Sequence, residues 1–290
     1  MSKILVTGSN GQLGSDIKAL VSADERFLFT DKEDLDICDF FKVEGFCKNN
    51  KIDFIINCAA YTAVDKAEND KDMAQMINHK AVENLAMIAK KLDISLIHIS
   101  TDYVFDGKSY KPYQEDDETD PVNFYGFTKL QGEEAIKKIN PKNSIIIRTS
   151  WIYAKAGNNF VKTMLKLTTQ KDKIGVIFDQ IGTPTYSKDL AKAILKIIPK
   201  IDNHDVEVYH YSNEGVCSWF DFAQEIIKIK DIKCQINPIH TYEYPTFAKR
   251  PHMSLLDKTK IKEKFDIFIP YWKDSLEDFL SEVRILVENP

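Results

Sequence analysis

Lys3-Ile-Leu-Val-Thr7-Gly8-Ser-Asn-Gly11-Gln-Leu-Gly14 is the stretch on which the reading of this chain turns. Lys3–Thr7 reads as a buried strand. It runs straight into three glycines spaced three apart, and a helix is predicted from about Gly11 to Leu20. In a strand–turn–helix of this kind Gly8 permits the tight turn, Gly11 a close approach of backbone to a pyrophosphate, and Gly14 close packing of helix on strand. The helix N-terminus then offers free N–H groups and a positive dipole end to phosphates. A turn with a purely structural role is the alternative.

Working outward, short apolar runs alternate with amphipathic stretches. Strands are predicted at Phe27–Thr30, Phe54–Asn57, Ser95–Ile99, Ser144–Arg148 and near Val206–Tyr209. Met73, Ile77, Ala81, Leu85, Ile88 and Leu92 recur at helical spacing, which predicts one long helix over about 70 to 92. Strands that are apolar throughout suit a parallel sheet covered on both faces. The expected fold is α/β: a Rossmann-type doubly wound parallel sheet over 1–150, with a smaller α/β substrate-binding lobe over 151–290. The two are expected to interleave, with about 180–210 returning to the first.

Composition narrows the function. With 290 residues, a net charge of −5 and 43% apolar residues, the composition gives no support to a nucleic-acid binder, which should show a basic face. Five cysteines without a Cys-x-x-Cys, and no apolar run near the roughly 20 residues of a membrane span, point to a soluble protein of the cytoplasm. The six histidines show no metal-ligand spacing, so no metal is expected, and His98 in its apolar run reads as a core residue.

Asp31 closes the second strand, where a carboxylate can accept from both adenosine ribose hydroxyls and repel a 2′-phosphate. That favours NADH, with NADPH left open by the adjacent Lys32. Asp36 and Ile37 follow, where a loop can reach the adenine; capping is the other reading of Asp36. Asn57-Cys-Ala-Ala-Tyr61 places small residues where a cofactor can pass close to backbone.

Of twelve tyrosines only Tyr125 has a lysine four residues on, Lys129. On a helix both side chains share a face. An ammonium about 5 Å from a phenol contributes roughly 3 kcal/mol at an effective dielectric near 20, enough to acidify it by about two units. A surface Tyr–Lys pair is what chance supplies. A third group discriminates: a hydroxyl at the carboxyl end of the preceding strand, Thr101 first and Ser100 second. The long span from Tyr103 to Phe124 is expected to be a lid or binding loop. Trp151 follows strand five and reads equally as a platform for a sugar or base and as core packing at the lobe junction.

Together Gly8-x-x-Gly11-Gln-Leu-Gly14, Asn57-Cys-Ala-Ala-Tyr-Thr-Ala-Val-Asp-Lys-Ala-Glu68, Ser100-Thr-Asp-Tyr-Val-Phe-Asp-Gly107, Tyr125-Gly-x-x-Lys129, Arg148-Thr-Ser-Trp-Ile-Tyr153, Gly182-Thr-Pro-Thr185 and Arg250-Pro251 resemble the dTDP-4-dehydrorhamnose reductase family of extended short-chain dehydrogenase/reductases. The resemblance covers Met1 to about Leu256. It implies reduction by NADH or NADPH of the C4 ketone of a nucleotide-linked sugar, dTDP-4-dehydro-β-L-rhamnose, to dTDP-L-rhamnose for polysaccharide biosynthesis. It assigns Tyr125 as proton donor, supported by Lys129 and Thr101. Cofactor contacts fall on Asn10, Gln12, Leu13, Asp31, Asp36, Ile37, Ala59, Ala60 and Tyr61, beside the three glycines. Substrate contacts fall on Thr101, Asp102, Trp151, Asn159 and Arg250, the last as a cation for the diphosphate. The resemblance leaves a homodimer open. Two other functions stay open: another nucleotide-sugar reductase or epimerase, and a non-catalytic regulatory subunit of methionine adenosyltransferase type.

Overall fold

The computed structural model describes residues 2–283. In chain order come β1 (Lys3–Thr7), α1 (Gln12–Leu20), β2 (Phe27–Thr30), α2 (Phe40–Asn50), β3 (Ile52–Asn57), α3 (Val64–Ala67), α4 (Lys71–Gln75), α5 (Ala81–Leu92), β4 (Ser95–Thr101), α6 (Phe124–Ile139) and β5 (Ile145–Thr149). They are followed by β6 (Ile152–Tyr153), α7 (Phe160–Gln170), β7 (Lys173–Ile177), β8 (Ile181–Gly182), β9 (Thr185–Tyr186), α8 (Ser187–Ile197) and β10 (Glu207–Tyr211). Then come β11 (Cys217–Ser218), α9 (Trp219–Ile229), β12 (Gln235–Ile239), α10 (Thr259–Phe265) and α11 (Trp272–Glu282).

Six strands form one parallel sheet in the order β10-β5-β4-β3-β1-β2. Its strands are apolar on both faces because both are covered. Ile17 of α1, Leu190 and Ile194 of α8 and Phe265 of α10 pack on one face. Val43 of α2, Leu85 and Ile88 of α5 and Ile136 of α6 pack on the other. This is the doubly wound Rossmann-type sheet the alternating pattern predicts. The winding reverses between β1 and β3, and ligands bind beyond the carboxyl ends of strands at such a switch point.

Gly8 and Ala59, which follow those two strands, meet there. Gly8 has φ of +63°, and a Cβ on it would lie 2.7 Å from the Ala59 amide nitrogen. A Cβ on Gly14 would lie 2.4 Å from the Gly8 carbonyl oxygen and 2.6 Å from Ser9 Cα. Both obstacles are backbone, so neither can rotate away. Gly14→Ala is therefore expected to destabilise by roughly 1–3 kcal/mol, as overpacking does. It should also weaken dinucleotide binding, because the turn must open. Thermal melting and dinucleotide titration check both.

The long helix expected over 70–92 is interrupted. Met76–Lys80 forms a π-turn between α4 and α5. The wider turn brings Asn78 inward, fully buried, where it accepts from Tyr61 N at 2.8 Å and donates to Tyr61 O at 3.0 Å and Thr128 Oγ1 at 3.1 Å. A plain α-helix leaves no such slack. The insertion ties the segment after β3 to α6.

A second cluster gathers α7, α9 and α11 around Val161, Phe222, Ile226, Leu276 and Phe279. Beside it lie the small pairs β6–β9, β7–β12 and β8–β11. The chain leaves the main sheet after β5 and re-enters it at β10, with α8 packed on α1.

Candidate active site

The first turn of α6 is set from three sides. Asn123 caps it, accepting from Gly126 N at 2.8 Å, and donates to Lys249 O at 2.8 Å. Glu68 takes the Phe124 N–H at 2.8 Å. Gly126 must be glycine here, since a Cβ would lie 2.1 Å from the Tyr103 carbonyl oxygen. That close approach puts the Tyr125 ring edge-on to Tyr103, centroids 5.8 Å apart, at the carboxyl end of β4.

Four of the expected site residues come together there. Thr101 donates to Asp102 Oδ1 at 2.9 Å and accepts from Tyr103 N at 3.2 Å, and its hydroxyl faces the Tyr125 phenol. Asp102 is 2% exposed. Burial pushes its carboxyl up to about 7, against hydrogen bonds from Ser254 and Thr101 that pull it down. Lys129, 1% exposed, donates to Ile99 O at 2.7 Å and meets His98 Nε2 at 3.2 Å. Burial brings Lys129 down to about 8, with Glu133 opposing.

One expectation needs correction. Spacing alone predicts a phenol acidified by its lysine. Burial instead raises Tyr125 above the ordinary phenol range, with Thr101 opposing. The lysine nitrogen is turned to the Ile99 carbonyl, and the Asp102 charge adds to the rise. Ser100, the second choice for the site hydroxyl, gives its proton to Glu133.

The phosphate turn fits a dinucleotide. Gly11 caps α1 with no side-chain bond, and no acid stands in the first turn, so the leading N–H groups carry no competing anion. Asp31 accepts from Asn10 N at 2.9 Å and Lys32 N at 2.8 Å, which draws the end of β2 to the glycine turn. Leu13 and Ile37 are buried. Asp36 accepts from Cys38 N at 3.0 Å in a local turn, and it is Asp39 that caps α2. Ala59 N donates to Asn57 Oδ1 at 3.3 Å, Ala60 lies half-buried beside it, and Tyr61 donates its hydroxyl to Asp70.

The remaining expected residues are more scattered. Asn159 caps α7 and donates to Gln12 Oε1 at 3.1 Å, so it borders the glycine turn. Trp151 has φ of +46°, unusual for a bulky residue, and stacks on Trp219 with centroids 3.6 Å apart. Arg250 forks onto Asp65 at 2.7 and 3.1 Å. That pair borders a cavity of about 370 Å³ shared with Tyr103, Phe160, Gln180 and Trp219. The long loop after Tyr103 is pinned down. Tyr113 exchanges backbone bonds with Leu255 and Asp257, and Gly107 lies against Pro251.

Sequence reasoning missed Asn78, the Asn57–His98 pair behind Lys129, and the Glu133–Arg148 pair. One signal was present: His98 and Ser100 alternate as polar residues in an apolar strand, while Lys129 and Glu133 stand four apart on a helix. The two spacings match face to face.

The family model described as the RmlD substrate binding domain matches residues 2–285. The chain belongs to this RmlD family. Among its relatives, the dTDP-4-dehydrorhamnose reductase of Aggregatibacter actinomycetemcomitans is 40% identical over 96% of this chain and 98% of its own. The spore coat polysaccharide biosynthesis protein SpsK of Bacillus subtilis is 40% identical over 97% and 98%. A solved dTDP-4-dehydrorhamnose reductase from Bacillus anthracis, in complex with NADP, superposes with a TM-score of 0.92 at 37% identity, covering 98% of this chain and 100% of that one. A solved dTDP-4-dehydrorhamnose reductase from Clostridium acetobutylicum gives 0.91 at 42%, covering 96% and 98%. The RmlD match extends beyond Leu256, past the point where the sequence motifs run out, and no described helix is long and apolar enough to cross a membrane.

Proposed function

We infer that this protein is an NAD(P)H-dependent reductase of a nucleotide-linked 4-keto sugar, converting dTDP-4-dehydro-β-L-rhamnose to dTDP-L-rhamnose. The observation that carries the reading is the buried Tyr125–Thr101–Asp102 cluster at the carboxyl end of β4, with Lys129 behind it and an uncapped glycine turn on the same edge of the sheet. The reduced nicotinamide, when bound, supplies hydride to the ketone carbon. Tyr125, kept protonated by burial, donates the proton to the ketone oxygen as charge develops there, and Thr101 fixes the phenol's direction.

Residues 1–150, with the return through α8 and β10, hold the dinucleotide in this reading, and the second cluster covers the sugar nucleotide. Arg250 faces the diphosphate, partly neutralised by Asp65. The cytoplasm is the expected compartment. The test is nicotinamide oxidation across a panel of nucleotide 4-keto sugars. Oxidation with the dTDP-linked rhamnose precursor is expected, and none with any ketone would overturn the reading.

The same assay reads the cofactor. Asp31 directs a carboxylate to the place of the adenosine ribose, so Asp31→Ala should raise the NADPH-to-NADH ratio of kcat/KM by roughly tenfold, about 1.4 kcal/mol. An unchanged ratio removes Asp31 from that role.

A further inference from the structure

Three residues on neighbouring strands form a polar row in an otherwise apolar sheet. Thr7 of β1 pairs in register with Asn57 of β3, and Asn57 with His98 of β4. All three are buried, at 1%, 1% and 0% exposure. Thr7 Oγ1 donates to Asn57 Oδ1 at 2.7 Å, Asn57 Nδ2 lies 3.0 Å from His98 Nδ1, and His98 Nε2 lies 3.2 Å from Lys129 Nζ. The row therefore ends on the lysine of the site.

Hydrogen-bond counting fixes the protons along it. Ala59 N–H can only donate, so the atom it meets on Asn57 is the oxygen, and the amide nitrogen faces His98. His98 Nδ1 must then accept, and a neutral ring carries its proton on Nε2. That N–H points at Lys129 Nζ, which is a hydrogen-bond acceptor only as an uncharged amine.

We propose that His98 is a positioning residue for Lys129, holding it at the Ile99 carbonyl and favouring its uncharged amine over the ammonium, with Asn57 and Thr7 setting the imidazole tautomer. Of the groups around Lys129 only Glu133 opposes this. On its own helix Glu133 is committed to Arg148 and Ser100, and Tyr125 is a neutral phenol. Asp102 beyond Tyr125 bonds Thr101, and from β3 and β1 only the uncharged Asn57 and Thr7 approach. Burial pulls His98 well down and brings Lys129 to about 8, so the imidazole is neutral and the lysine exchanges between ammonium and amine just above neutral pH. The consequence, which rests on the reductase reading, is that Lys129 must gain a proton before it can support the Tyr125 phenol. The row then sets the alkaline limit of turnover.

The first test does not involve activity. In ¹⁵N-histidine-labelled full-length protein without dinucleotide, His98 is assigned by loss of its signals in His98→Asn. It is expected to show a bare Nδ1 and a protonated Nε2 from pH 6 to 8, a window chosen around the ordinary histidine value of about 6.5. An Nδ1–H tautomer or an imidazolium at neutral pH overturns the proposal, whatever the substrate proves to be. The second test is the pH profile of His98→Gln, whose amide oxygen can accept from an ammonium. The alkaline limb of kcat/KM should move up by roughly one unit. An unmoved or lowered limb in a folded, active variant overturns it.

Discussion

Tyr125→Phe should lower turnover by roughly 10²–10⁴-fold, the usual contribution of a positioned acid, while leaving dinucleotide affinity nearly intact. The phenyl ring still fills its place against Tyr103, Ala67 and Ala74, so the apolar packing survives. Only the hydroxyl and its polar contact with Thr101 are lost, a change of at most about 0.5–1.5 kcal/mol in stability. Melting should therefore move by a few degrees at most. Lys129→Met should differ in kind. It removes the buried amine beside Tyr125, where the nicotinamide is expected, so affinity and turnover should fall together. Steady-state kinetics with dinucleotide titration separates the two. A Phe variant keeping more than about a tenth of the rate would remove Tyr125 from proton transfer, since even the weak end of general acid catalysis exceeds that.

How much of this was legible in the sequence depends on how local each constraint is. The β1–Gly8–α1 unit was readable because most requirements on it are met within fourteen residues: a buried strand, a positive φ at Gly8 and a near contact at Gly14, with the approach of Ala59 to Gly8 the long-range exception. Tyr125 and Lys129 were readable because helical spacing alone puts them on one face. The sign of the Tyr125 shift was not readable, because spacing reports proximity and says nothing of burial, and here burial prevails. The π-turn at Met76–Lys80 escaped because one wide turn barely disturbs a periodicity carried by Met73, Ile77 and Ala81. The Thr7–Asn57–His98 row escaped for another reason. Its members lie 50 and 41 residues apart, and only strand register makes them neighbours. Arg250 shows the limit of residue type as evidence. A cation suits a diphosphate, yet nothing in the chain's pattern announced that Asp65, 185 residues away, already holds it.

The second large effect is expected at the Glu133–Arg148 pair. Both are essentially sealed from water, at 0% and 1% exposure. Arg148 donates Nε at 3.0 Å and Nη2 at 2.7 Å to the carboxylate, and Nη1 at 3.2 Å to the Glu115 carbonyl. Ser100 adds a bond to Glu133, and the guanidinium lies 5.0 Å over the Phe105 ring. Arg148→Met leaves Glu133 buried with Ser100 and a lysine 4.0 Å away, and should cost about 3–5 kcal/mol. Glu133→Leu strands the guanidinium and should cost a similar amount. Replacing both with these apolar residues should be far milder, within about 1–2 kcal/mol of the parent, because two desolvated charges disappear together. Denaturant melts of the four proteins give the coupling directly. Additive losses would mean that the pair is not energetically linked. Turnover in the double variant is expected to stay several-fold below the parent even where stability returns. Glu133 sits on α6, one turn beyond Lys129 and two beyond Tyr125, and Arg148 also holds the Glu115 backbone of the pinned loop. A well-packed apolar pair can restore burial, but it has no fork with which to fix α6 against β4, β5 and that loop at once.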